Sequence, residues 1–355
     1  MPSEVKGGSA AEAAPPADQT GVVEPPSAKL MVRLFLIPLL IVSIAVGIMF
    51  LIGRLAGGTP TFDEALTRLK NPGGQRTVDL LIGPGSKQRY MDAKTLVDQM
   101  KSGMTAAQRV KLSESLIDIL EHHTTDSEGE VRHFLLLALG RAWQIDPSQH
   151  QPGATADPDV VAARKGAVDC LLKYADSTDV SNRKAAVLAL GYLAGQPEAR
   201  PAIPRIVAKL ENGQEDFDVR LAAATVLGPL ATPQDQPVLD ALRRATDDTD
   251  PAHRELVWSA SLSLAQLNQT DVSPTILMLL DRNELSKFEV LDGEADPKNP
   301  TYRKLNDLEQ QRYLINTMMG AAKLQVPEIQ KRLAYLRDND PSPRVREAAQ
   351  EILGR

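Results

Sequence analysis

Few residues in this chain have the type and spacing to do chemistry. Gly83, Gly85 and Lys87 stand together in GPGSKQ, as glycines and a lysine do where backbone N–H groups cradle a phosphate. The order such a loop needs, G-x-x-x-x-G-K-[ST], is absent, so the segment reads as a turn. His122, His123 and His133 fall close together, and imidazole is a common zinc ligand. A zinc site takes three or four placed ligands, and no further His or matching carboxylate spacing lies nearby, so these side chains read as solvated or capping. Cys170 is the only cysteine, which excludes an intramolecular disulfide and any multi-cysteine metal site. In AVDCLLKY it lies within a helical pattern and has no adjacent His or basic residue to lower its pKa, so a buried, inert thiol is expected. Asp292, Glu294 and Asp296 alternate as in a calcium loop, but the remaining ligand positions do not fit. These residues assign no catalytic group, metal or cofactor, and a non-enzyme is expected.

The composition bounds the fold class and the partners. Aromatics are 4% of the 355 residues, with two Trp, six Tyr and six Phe. Ala and Leu supply most of the apolar content, which favours helices packed through small and unbranched side chains. The net charge is −6 with no long Lys/Arg cluster, whereas a nucleic-acid footprint is basic. Neither nucleic acid nor a small-molecule substrate is indicated.

Residues 1–28 carry five prolines and no apolar periodicity, a composition that reads as a disordered tail. Leu34–Gly53, LFLIPLLIVSIAVGIMFLIG, contains no charge, and about 20 helical residues match the ~30 Å hydrocarbon core of a bilayer. A single-pass membrane span is expected, framed by Lys29, Arg33 and Arg54. The two basic residues before it lean toward a cytoplasmic N-terminus, with the rest of the chain on the far side.

Beyond the span, arginines fall into a register. Arg132, Arg183, Arg220, Arg312 and Arg346 are each followed eight positions later by glycine, and Arg254 has Leu262 in that slot. Positions +3, +6 and +10 hold Ala, Val, Leu, Ile or Met throughout, which places an apolar stripe along one helical face six times over. A second helical pattern precedes each stripe, and Asp179 and Asp216 are N-cap candidates at the joints. The arginines are separated by 51, 37, 34, 58 and 34 residues. Two antiparallel helices per unit of about 34–40 residues are the signature of an all-α solenoid. Ala and Gly then let paired helices approach closely, and each Arg reaches the preceding repeat's polar joint. TPTFDEALTRLKN and QRYMDAKTLVDQMKSG read as a degenerate capping repeat over about residues 55–104.

DVRLAAATVLGPLA and DPSPRVREAAQEILG resemble HEAT repeats, in particular the short bacterial HEAT-like form also seen in phycobilisome lyases. The resemblance covers about residues 105–355 and implies an α-solenoid of about six hairpins. It also implies a ladder linking neighbouring repeats, in which Asp216 would act with Arg220 and Asp338 with Arg346. One HEAT-like enzyme family, deoxyhypusine hydroxylase, holds iron through His-Glu pairs, and no His-Glu dipeptide occurs here.

Two places are candidates for protein binding. Between Arg254 and Arg312 a polar insertion, about residues 282–308, carries Glu284, Glu289, Asp292, Glu294 and Asp296 against Lys287 and Lys298. Lacking the apolar stripe, residues 284–305 are expected to contribute little to the core, so that replacing them costs only about 1 kcal/mol. Trp258 occupies a mixed position at +4. Core packing is the first reading, and an interface tryptophan, which such a position also suits, is the alternative that makes it a candidate partner-binding residue. The expected function is a membrane-anchored, non-catalytic scaffold for protein partners; the alternative is an accessory or lyase-like subunit handling a small ligand or prosthetic group.

Overall fold

A computed structural model describes residues 62–70, 86–99, 104–124, 128–144, 157–291 and 301–354. The expected membrane span and the tail before it lie outside the described residues, and no helix among those described is long and apolar enough to cross a membrane.

The fold is all-α, with one small strand pair among the described residues. Its helices are α1 Phe62–Lys70, α2 Ser86–Gln99, α3 Ala106–His122, α4 Gly129–Ala142, α5 Pro158–Ala175, α6 Val180–Gly191, α7 Ile203–Glu211 and α8 Phe217–Leu230. They continue as α9 Gln236–Thr246, α10 Arg254–Gln266, α11 Ser273–Leu279, the single turn α12 Arg282–Leu285, α13 Asp307–Ala321, α14 Pro327–Asn339 and α15 Pro343–Leu353. Strands β1 Glu289–Leu291 and β2 Tyr302–Lys304 pair antiparallel, with Val290 opposite Arg303.

Local chemistry sets the helix starts. Thr105 closes a capping box with Gln108 at α3, Asp179 accepts from the Asn182 N–H at α6, and Asp216 accepts from the Asp218 N–H at α8. Each satisfies an N–H that the first turn leaves unpaired. In α4, α6, α8 and α15 the register arginine is the fourth helical residue, and its N–H makes the first i→i−4 bond, to Glu128, Asp179, Asp216 and Ser342.

The helices pack in pairs, α3 with α4, α5 with α6, α7 with α8, α9 with α10, α11 with α13, and α14 with α15. Second helices also pack on one another in chain order, α2 on α4, then α6, α8, α10, α13 and α15. A run of fully buried side chains such as Leu135, Leu190, Leu227, Leu264, Leu314 and Val345 follows that series.

The register glycines mark where these second helices cross. A Cβ on Gly140 would stand 2.3 Å from the Ala189 carbonyl oxygen, one on Gly191 2.7 Å from Val226 Cγ1, and one on Gly228 2.8 Å from Ser263 Cα. The close approach therefore lies between neighbouring pairs, not within a pair. Val226 and Ala189 are themselves +6 residues of the register, so the apolar stripe of one unit receives the glycine of the unit before it.

The register arginines bind their own joint and reach forward, the reverse of the expected direction. Arg183 donates to the carbonyls of Ser177 and Thr178 and pairs with Glu215 at the following joint at 2.8 Å. Arg220 donates to Leu210 O at the end of α7, and Arg254 to Glu289 O in β1. Asp216 caps its helix without an ion pair to Arg220, and Asp338 pairs with its exposed neighbour Arg337. Arg346 instead donates to the carbonyls of Asp340 and Pro341, while the buried Asp340 carboxylate receives Arg282 and the Ser342 N–H. The acid two residues later therefore takes the joint, and Ser342 stands at the N-cap position of α15 without a side-chain cap bond. Among the first helices a second set of ion pairs links neighbours, including Lys173–Glu121, Arg205–Asp176 and Arg244–Glu211.

Candidate partner-binding surface

The insertion does not stand apart from the core. Leu285 and Leu305 are buried at its two ends, and Phe288 and Val290 pack against the core between them. Its residues escaped the register because a strand alternates inward and outward with period two, not with helical spacing. The described ends of the insertion are therefore structural, contrary to the expectation for residues 284–305.

Trp258 explains why. Its side chain is 3% exposed and meets Phe288 and Tyr313 edge-on, at centroid distances of 5.3 and 5.2 Å. Arg254 lies over the Phe288 ring at 4.8 Å. The Tyr313 hydroxyl donates to Glu255, and burial followed by that carboxylate pushes the phenol well above its ordinary range. Trp258 is thus a core anchor for the strand pair, as its first reading has it, and this burial removes it from the candidate partner-binding residues. Glu289 is exposed on β1, whereas Asp292, Glu294 and Asp296 lie outside the described residues.

The exposed apolar surface lies elsewhere. Leu308 and Met319 on α13 are 70% and 64% exposed. Ile315, half-buried, falls between them on the same helical face by its spacing. Met319 sits at +7, where Leu139, Leu190, Leu227 and Ser261 are all buried. Arg312 is the sixth residue of its helix, against the fourth in α4, α6, α8 and α15 and the first in α10. The register therefore does not begin at one fixed place in every second helix, and α13 shows at +7 a side chain that α4, α6, α8 and α10 hide. Arg312 lies in that exposed face, over the Tyr313 ring at 5.7 Å. The sequence register treats all six helices as equivalent and so misses this stripe. Tyr302 and Tyr335 are also exposed, at 50% and 56%.

The other chemistry-bearing residues are separated. His122 and His123 both approach Asp118, at 3.3 and 3.8 Å, and Lys70 reaches the same carboxylate. His133 contacts Ser181 Oγ at 3.3 Å instead. Among the described residues no group of three His, Cys, Asp or Glu stands where it could hold a metal. Burial pushes the Cys170 thiol up to about 12, which keeps it protonated and unreactive at neutral pH. No protein-family model matches this chain, and no curated protein matches it.

Proposed function

We propose that the chain is a membrane-anchored, non-catalytic scaffold built as a HEAT-like α-solenoid, which binds a protein partner across its second helices. The observation that supports this reading best is the recurring crossing at Gly140, Gly191 and Gly228, where one packing solution repeats from unit to unit. Units that touch only their neighbours form an extended surface, and solenoids use such surfaces for binding. Helix α13 supplies the apolar contact through Leu308, Ile315 and Met319, while the acidic insertion that precedes it in the sequence favours a basic rim on the partner.

The membrane anchor is Leu34–Gly53. Alkaline carbonate washing should leave the protein in the membrane pellet, and its release would sink the anchor. For the binding face, Leu308→Asp with Met319→Asp should cut recovery of a cross-linked protein partner by ~10-fold or more without changing the melting temperature. Undiminished recovery would remove α13 from the interface. A coloured or metal-bearing species that co-purifies would favour the accessory-subunit reading.

A further inference from the structure

At the far end of α4 from its register arginine, two guanidinium groups converge on one tryptophan. Trp143 is 2% exposed, and its indole N–H donates to Ser113 Oγ at 3.2 Å. Arg109, from α3, grips the backbone on both sides of that residue, donating to Ala142 O at 2.9 Å and Gln144 O at 3.2 Å. Arg164, from α5, lies over the indole ring at 5.5 Å. Both side chains are half-buried, so each retains access to solvent.

Their charges are poorly balanced. Among the described residues Arg109 bonds only carbonyl oxygens and has no carboxylate partner. Arg164 has one acid, Glu198, at a slack 3.7 Å, and its buried Nε finds no hydrogen-bond acceptor. The facing oxygen of Glu198 is also buried without a hydrogen bond, so the ion pair leaves donor and acceptor unfulfilled. Partial burial and the neighbouring Arg164 push the Arg109 guanidinium below its ordinary value. Two like charges held together at reduced solvation favour whatever negative charge can lie between them.

We propose that Arg109 and Arg164 bind a small oxyanion, a phosphate or a carboxylate, beside Trp143. Arg109 contributes the N–H groups that its carbonyl bonds leave free, and Arg164 turns its unfilled Nε edge to the same oxygen atoms. Guanidinium forks suit both ligands because they donate two parallel hydrogen bonds to a pair of oxygens. Glu198 is then a weak internal competitor, displaced from Arg164 when the anion arrives. The site is independent of the scaffold reading, since it lies on other helices than α13.

The test is thermal melting of the purified full chain in inorganic phosphate, in acetate and in chloride at equal pH and ionic strength. A bound anion should raise the melting temperature by about 2–4 °C, saturably. Phosphate also stabilises folded proteins by exclusion, so the signal is the saturable part that Arg164→Gln removes. Glu198→Gln should move half-saturation to several-fold lower anion concentration. A rise in phosphate alone assigns a phosphate site, and a rise with acetate assigns a carboxylate site. Absence of a saturable rise with either, or its persistence in Arg164→Gln, would overturn the proposal. Should that variant fail to fold, an unchanged half-saturation in Glu198→Gln would overturn it as well.

Discussion

Gly140 lies so close to Ala189 that a single added methyl group would stand 2.3 Å from the Ala189 carbonyl oxygen. Backbone cannot swing away as a side chain can, so Gly140→Ala must push α4 from α6. Ala ordinarily gains roughly 0.5–1 kcal/mol over Gly in a helix, and here overpacking should exceed that gain, for a net loss of about 1–3 kcal/mol. Gly320 offers the contrast. Its nearest neighbour is Leu262 Cδ2 at 3.1 Å, the tip of a flexible side chain. Gly320→Ala should be close to neutral. Denaturant unfolding of the two variants checks the difference, and equal costs would mean that the helix crossings are not the constraint.

The strand pair should behave as part of the core. Phe288→Ala removes one of two rings packed edge-on against Trp258 and uncovers a buried indole. About 1–3 kcal/mol should be lost, since Phe288 is only half-buried and a fully buried Phe costs more. Replacing residues 288–305 by a short flexible connection should cost at least as much. A change within ~0.5 kcal/mol, the range of ordinary surface substitutions, would return the whole insertion to the status of a loop.

Much of this architecture is legible in the sequence, for a reason visible in particular residues. Arg183 and Gly191 carry their meaning in their spacing, because a helix turns spacing directly into direction. The N-caps Asp179 and Asp216 are equally local. The limits come where meaning depends on a partner distant in sequence. Trp258 stands at a position that varies among the repeats, and only its neighbours Phe288 and Tyr313 decide that it is buried. Met319 occupies a slot that is buried in α4, α6, α8 and α10, and the register alone does not show that α13 exposes it. Arg109 and Arg164 belong to different helix pairs and to neither register, so no spacing rule joins them.

Glu309 gives the fold a specific response to acid. Arg303 donates to both of its oxygens at 2.7 Å, and with the Asn306 N–H it holds the carboxyl pKa down to about 2, from an ordinary value of 4.5. The folded form thus binds this proton more weakly than the unfolded chain does. Its contribution is present in full above pH 4.5 and is lost as pH falls toward 2. Arg303 is 40% exposed, so screening keeps the contribution modest, at about 1 kcal/mol. Glu309→Gln should lose that amount at pH 7 and show a shallower decline between pH 4.5 and 2 than wild type, as followed by urea midpoints. A decline of equal steepness would show that Glu309 does not carry it.

Asn182 is the clearest departure from the repeat's own logic. It immediately precedes a register arginine, a slot filled by buried valine at Val131, Val219 and Val345. Asn182 is 0% exposed, and neither atom of its amide has a hydrogen-bond partner among the described residues. Its backbone N–H is satisfied by Asp179, so the cap does not require the side chain. Burying an unpaired amide costs about 1–3 kcal/mol, and valine is already the solution in equivalent helices. Asn182→Val should therefore stabilise the protein by roughly 1–2 kcal/mol, offset in part by valine's lower freedom in a helix. Urea unfolding measures the change. A loss of stability would mean instead that an ordered water satisfies the amide, since internal waters are held by polar groups of this kind and are costly to remove.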